Sequence, residues 1–264
     1  MNKQAESLKT LKDLRELMDR LRGENGCPWD RKQSAETLKI YLLEEAYELA
    51  DALDRKDQAE VKEELGDLLF QIVFLSRVFE EQGDFDLDQV IDTIYQKMVR
   101  RHPHIFGDKN WENAEQVVQG WQNIKAGEKE GQDPFESIPV DVPSLLKAHR
   151  ISQRAAGLGF EWPHINGVLE KVREELKELE EAIGEKDLTA AGEELGDLLF
   201  TLVNVGRFLG VPAENALRKT NQKFLRRFRS MMTEPHFKDK GAFSLSLDEW
   251  QVLWARTKEF EESS

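Results

Sequence analysis

The chain has 264 residues, with 37 Lys and Arg against 51 Asp and Glu and a formal charge of −14, a balance that disfavours passive attraction to nucleic-acid backbones or anionic membranes. Its length exceeds the usual size of one domain. The single cysteine, Cys27, excludes an internal disulfide framework and fits a reducing compartment, and the opening MNKQAESLKTLKD has no apolar core of the kind a secretory signal needs, so a cytoplasmic protein that binds neither nucleic acid nor membrane is expected.

Apolar residues then recur at helical spacing almost everywhere. Leu8, Leu11, Leu14, Leu17 and Leu21 mark a first helix, Leu38, Leu42, Leu49 and Leu53 a second, and Val61, Leu65, Leu68, Ile72, Leu75 and Phe79 a third. The most apolar run, Leu65 to Leu75, carries Asp67 and Gln71 and falls short of the ~20 residues that span a bilayer. The stretch Lys125 to Pro143, with Gly127, Gly131, Pro134, Pro139 and Pro143 among charges, reads as a linker. Beyond it the same order returns, with helices predicted near 144–156, 166–184, 187–209, 212–231 and 247–261. Alternating strand patterns are hard to find. The expected fold is all-α: two tandem helical modules over 1–127 and 144–264, joined by a linker over 128–143.

The second module repeats the first in detail. EELGDLLF occurs at Glu63 to Phe70 and again at Glu193 to Phe200, preceded at equal distance by Glu44, Glu45 and Glu48 and by Glu174, Glu175 and Glu178. Treating Asp54 to Asp57 as the turn of an antiparallel helical hairpin, residues at equal height share one sum of position numbers. Glu45 then faces Asp67 and Glu48 faces Glu64; in the second module Glu175 faces Asp197 and Glu178 faces Glu194. The two rungs lie about 4.5 Å apart along the axis, and each pair within a helix is spaced i, i+3 and shares a face. Four such acids repel one another, so they take up protons or hold cations. Oxygen ligands without His or Cys select Mg²⁺, Mn²⁺ or Ca²⁺, and a site that meets substrate phosphates suits Mg²⁺. The bland alternative is a solvated acidic helix face.

A basic run follows each acidic hairpin: Lys97, Arg100 and Arg101, then Lys223, Arg226 and Arg227. Lys97 with Arg101, and Lys223 with Arg227, are i, i+4 pairs able to reach one polyphosphate from one helix face. Trp121 and Trp254 near the module ends, and Trp29 and Trp162 in the loops before the acidic helices, are candidates to stack on a base, although aromatics more often fill cores. Cys27 has no evident His partner, and Asn204 interrupts an apolar run as a ligand contact or an interhelical hydrogen bond. A di-iron bundle needs Glu-x-x-His on its helices, whereas the one such spacing, Glu161 to His164, contains Pro163. No Walker-type loop, Ser-His-Asp arrangement or Cys-x-x-Cys pair is present.

The doubled pattern EExxE…ExxD, with ENGCPWD near the start and RRHPHIFG after the first acidic hairpin, resembles the MazG nucleoside triphosphate pyrophosphohydrolases in their two-module form, over nearly the whole chain. The resemblance implies an all-α, Mg²⁺-dependent enzyme that cleaves nucleoside triphosphates between the α- and β-phosphates to the monophosphate and pyrophosphate, in nucleotide-pool clean-up. It also implies a homodimer with helices of two subunits packed into a bundle. Carried over by motif, the metal ligands are Glu175, Glu178, Glu194 and Asp197, with Glu45, Glu48, Glu64 and Asp67 in the first module. Lys223, Arg227 and Trp254 match the family's phosphate and nucleotide contacts, and Glu174 or Glu175 is the expected proton acceptor. The halves differ: GFEWP replaces GCPWD, and Phe228 stands where the first module has His102, so the pockets should differ in shape, with the C-terminal one favoured as active. Competing expectations are a helical scaffold with structural Ca²⁺, or a specialist for guanosine tetraphosphate or dUTP on the same metal chemistry.

Overall fold

A computed structural model describes residues 8–128, 133–233 and 245–262, and every regular element among them is helical. The chain divides into unit 1, Met1–Glu130, and unit 2, Gly131–Ser264. Unit 1 contains α1 (Leu11–Arg22), α2 (Ala35–Arg55), α3 (Gln58–Gln82), α4 (Leu87–Arg101), the single turn α5 (Pro103–Phe106) and α6 (Ala114–Gly127). Unit 2 contains α7 (Ser144–Gly157), α8 (Ile165–Glu185), α9 (Leu188–Phe208), α10 (Ala213–Thr233) and α11 (Leu247–Glu262).

Each unit is built on a hairpin, α2 with α3 and α8 with α9. The link is tighter than the four residues expected from sequence. Helix α2 runs on through Arg55, Lys56 takes the left-handed conformation at φ 58°, and the Asp57 carboxylate accepts from the N–H groups of Ala59 and Glu60 to start α3. Unit 2 makes the same reversal with Lys186 at φ 60° and Asp187 accepting from Thr189 and Ala190. The backbone N–H of Asp57 reaches back to Ala52 O, and that of Asp187 to Ala182 O, closing each helix end. A lysine in this region carries a steric cost, so the repeated Lys-Asp pair is the local device that folds the acidic segment onto its partner.

Helices α1 and α4 pack on α3, and α6 packs on α4; correspondingly α7 and α10 pack on α9, and α11 on α10. The unit 1 core joins Met18, Leu38, Val73, Phe74, Val78 and Leu87. Val168, Ala182, Val203, Met231 and Leu253 are buried in unit 2. Around the first core, Arg22 donates to Glu81 at 2.7 Å, Arg77 pairs with Asp19 at 3.3 Å, and Arg15 with Asp88 at 2.6 Å.

Apolar spacing alone does not tell which positions are covered. Leu53, placed on the core stripe of α2, is 57% exposed, and Leu65 of α3 is 53% exposed. These helices are apolar on more than one face, and the unit covers only one; Leu69 and Ile72 of α3, their counterparts Leu199 and Leu202 of α9, and Leu195, the counterpart of Leu65, also stay exposed. The stretch read as a linker is partly built in: Glu128 pairs with two arginines of α4, Ile138 is buried, and Arg154 donates to Pro134 O. No single described helix is long and apolar enough to cross a membrane.

Candidate active site

The hairpins bring carboxylates together in both units. In unit 1 one oxygen each of Glu45, Glu64 and Asp67 lie within 4.8 Å of one another; in unit 2 the same holds for Glu175, Glu194 and Asp197. Glu45 and Glu64 are half-buried and Asp67 exposed, whereas Glu175 is buried. Glu48 and Glu178 fall outside these triads, and Glu48 is exposed.

They still belong to the same electrostatic neighbourhood. Partial burial, then Glu48, pushes the Glu64 carboxyl above its ordinary range, and Asp67 and Glu45 add to the effect. Burial, then Asp67, does the same to Glu45, against the opposing effect of Gln71. In unit 2 burial, then Glu178, Glu175 and Asp197, raises Glu194. The strongest repulsion for Glu45 is thus with Asp67 and for Glu64 with Glu48, the two rungs predicted from matched heights. A set of hard oxygen donors raised by mutual repulsion is chemically suited to a divalent cation.

What the two sites place beside the triads differs. In unit 2 the Lys171 ammonium donates to Glu174 at 2.7 Å and Glu175 at 2.8 Å, and Glu174 first, then Glu175, hold it well above the ordinary lysine range. Unit 1 has Tyr41 at the matching position, and Glu45 instead accepts from Gln71 Nε2 at 3.5 Å, a weak contact. Lys171 and Gln71 went unrecognised in the sequence, although Lys-x-x-Glu-Glu at helical spacing carries the signal for the lysine. An open cleft of about 500 Å³, lined by Tyr47, Glu48, Asp51, Arg55, Glu60, Glu63 and Glu64, adjoins the unit 1 triad.

The basic runs lie on α4 and α10. The Arg101 guanidinium sits 5.3 Å over the Trp121 ring, with Lys125 Nζ 5.2 Å from the same ring, and Arg100 and Arg101 both grip Glu128, a contact no sequence pattern announced. Lys97 is half-buried on the same helix. In unit 2 Arg227 lies 5.9 Å over Trp254, while Lys223 and Arg226 are exposed. Phe224 meets Trp254 at 5.1 Å and Phe228 stacks on Trp250 at 5.4 Å, a cluster of rings joining α10 to α11.

The remaining candidates have structural settings. Trp29 is 53% exposed and edge-on to Tyr41 at 5.9 Å, and Trp162 lies against Gly167. Asn204 is buried, donating to Phe200 O within its own helix and accepting from Arg207. Arg207 pairs with Glu161, which removes the last trace of a Glu-x-x-His ligand pair. Cys27 is a half-buried free thiol.

A tandem all-helical chain with one carboxylate hairpin per unit defines a class, and comparison with known proteins identifies it. The MazG nucleotide pyrophosphohydrolase domain matches twice, over residues 33–106 and 165–232, together more than half of the chain. The chain therefore belongs to the MazG family and is an enzyme of that class. It is 47% identical over 222 residues to the nucleoside triphosphate pyrophosphohydrolase/pyrophosphatase MazG of Thermotoga maritima, covering 83% of this chain and 84% of that one. It is 40% identical over 251 residues to the nucleoside triphosphate pyrophosphohydrolase of Escherichia coli K12, covering 93% and 95%. A mazG-related protein of known crystal structure from Thermotoga maritima aligns with 44% of this chain and 98% of its own, at 31% identity and a TM-score of 0.39.

Proposed function

We propose that this chain hydrolyses nucleoside triphosphates between the α- and β-phosphates, releasing the monophosphate and pyrophosphate, with Mg²⁺ held by the hairpin carboxylates and Mn²⁺ as a substitute. The observation that carries this reading is the convergence of three carboxylates in each unit, next to a fourth that repels them. The donor set is all oxygen and fits the cation. Glu175, Glu194 and Asp197 would hold it in unit 2, with Glu178 beside them, and Glu45, Glu64, Asp67 and Glu48 in unit 1. Bound there, Mg²⁺ supplies charge neutralisation of phosphate oxygens and acidifies water.

The protein's own side chains do the rest. Glu174 or Glu175 accepts the proton of the attacking water, and Lys171 orients both carboxylates from one turn away. Lys223 and Arg227 offset charge building on the pyrophosphate, with Arg226 supporting them. Trp254, packed against Arg227 and Phe224, offers a face to the base. In unit 1 Lys97, Arg100, Arg101 and Trp121 occupy the corresponding places. No covalent intermediate is needed.

The exposed apolar face repeated at Leu65 and Leu195, Leu69 and Leu199, and Ile72 and Leu202 suits the hairpins of a second copy of this chain, and a homodimer completes the proposal. The test is product analysis of a dNTP with Mg²⁺. Pyrophosphate and monophosphate are expected in equal amounts; orthophosphate would reject the assigned bond.

A further inference from the structure

Given the phosphate-binding role assigned above to Arg100 and Arg101, we infer that Glu128 is a built-in stand-in for phosphate, occupying this guanidinium pair until a polyphosphate displaces it. Arg100 Nε donates to Glu128 Oε1 at 2.7 Å, while Arg101 donates to Oε2 through Nη2 at 2.6 Å and Nε at 3.2 Å. Both carboxylate oxygens are engaged, Oε2 by two N–H groups of Arg101 and Oε1 by Arg100 with a longer 3.5 Å contact from Arg101 Nε, and guanidinium groups bind carboxylate and phosphate oxygens alike. Helix α6 supplies the floor, since Trp121, under Arg101, lies on it, and Glu128 follows directly at its carboxyl end.

Local structure gives no reason for an acid at this position. Glu128 follows the last residue of α6, its N–H still bonded to Ile124 O at 3.0 Å, and the carboxyl end of a helix disfavours negative charge. The two arginines reverse that preference and hold the Glu128 carboxyl down at about 2. They themselves stand at the carboxyl end of α4, where cations are favoured, so the pair is placed for an anion before Glu128 arrives. The Arg101 side chain is 12% exposed and that of Arg100 56%, so only the Arg101 half of the contact is sheltered from solvent screening.

An intramolecular carboxylate sets a threshold. A monoanion gains nothing by replacing it, whereas a ligand carrying several negative charges does. The apparent affinity of unit 1 for phosphate is then reduced by the fraction of molecules in which the pair is already filled.

The test uses the full chain carrying Lys223→Ala, Arg226→Ala and Arg227→Ala, so that the basic helix of unit 2 contributes no phosphate grip, titrated calorimetrically with magnesium pyrophosphate. Glu128→Gln should bind about tenfold tighter than Glu128 itself, Glu128→Asp should fall between, and adding Arg101→Ala to Glu128→Gln should erase the gain. If Glu128→Gln binds no tighter while Arg101→Ala alone weakens binding, the stand-in role is overturned and the phosphate role of the arginines survives. If Arg101→Ala also changes nothing, both fall together. A lower thermal midpoint in Glu128→Gln without tighter binding makes Glu128 a clamp between α4 and α6, and equally overturns the inference.

Discussion

The two carboxylate hairpins share a backbone, a turn and a ligand set, yet their charge is balanced differently. In unit 2 an ammonium, Lys171, sits against Glu174 and Glu175, and the buried Glu175 has a cationic partner at 2.8 Å. In unit 1 the matching residue is Tyr41, and Glu45 has only the long contact with Gln71. The basic helices diverge as well: Arg100 and Arg101 are engaged by Glu128, while α10 and α11 share a cluster of rings that includes Trp254 beneath Arg227. Duplication has kept what the hairpin needs to gather acids and has changed what surrounds them. Gathering the acids and balancing their charge are therefore separable properties of this fold.

The largest expected effect tests which unit performs the chemistry. Glu178→Gln with Asp197→Asn should lower kcat/KM for pyrophosphate release by at least about 100-fold, the scale on which loss of transition-state charge stabilisation acts, with the helical circular dichroism unchanged. Glu48→Gln with Asp67→Asn should cost far less. Equal losses from the two pairs would erase the functional contrast between the units.

Next in size is assembly. Leu199→Glu places a charge on the repeated apolar face and should convert a dimer to a monomer in sedimentation equilibrium, since a charge buried at a subunit contact costs several kcal/mol. A mass unchanged by both Leu69→Glu and Leu199→Glu would exclude this face as the subunit contact.

Lys171 sharpens the comparison further. Its ammonium competes with any cation for the Glu175 carboxylate, which it meets at 2.8 Å, so Lys171→Met should tighten Mg²⁺ binding in the absence of nucleotide about fivefold, consistent with ~1 kcal/mol for a partly exposed ion pair. Tyr41→Phe should leave the unit 1 affinity where it was. Titration calorimetry on each variant reads both.

The pH response follows from the raised carboxylates. Glu45, Glu64 and Glu194 lie above their ordinary value of 4.5 in the fold, so the native state binds more protons than the unfolded chain just above that pH. Metal-free stability should rise as pH falls from neutrality toward 4.5, and Mg²⁺ should flatten the trend. Opposite contributions come from Glu81 held down by Arg22 and Glu128 at about 2, lost only below 4.5, and from His149 of unit 2, whose burial holds the imidazole below its ordinary value and so costs stability as pH falls below 6.5. Two of the three raised groups are in unit 1, so its thermal transition should move more. A midpoint that falls steadily on acidification would break the assignment.

The smallest effect concerns the turns. Lys56→Gly and Lys186→Gly relieve the left-handed strain and should each stabilise their unit by about 0.5–1 kcal/mol in urea denaturation. Unequal gains would show that the two reversals, alike in dihedral angle, are differently supported.

Much of this is legible in the sequence. Helix identity followed from apolar spacing, and the facing of Glu45 with Asp67 and of Glu48 with Glu64 followed from equal heights in a hairpin. Both depend on the regular rise and period of a helix and on local turn chemistry. Other features involve pairs remote in sequence or degrees of burial, which no period encodes. Arg22 meets Glu81 across 59 positions and Arg100 meets Glu128 across 28. Leu53 and Leu65 match a core pattern yet remain exposed, because the pattern marks every apolar face and packing chooses which of them is covered. Lys171 lies within reach of spacing rules, as the lysine of a Lys-x-x-Glu-Glu run on one helix.

The chain by itself determined an all-helical duplicated protein whose hairpins gather acids, since periodicity and repetition are properties of order along a line. Only the tertiary structure decided that three acids, not four, form each tight cluster, that Lys171 attends one cluster and Gln71 the other, and that Glu128 fills the arginine pair. Those outcomes depend on side-chain reach and burial between elements, quantities set by how helices pack against one another.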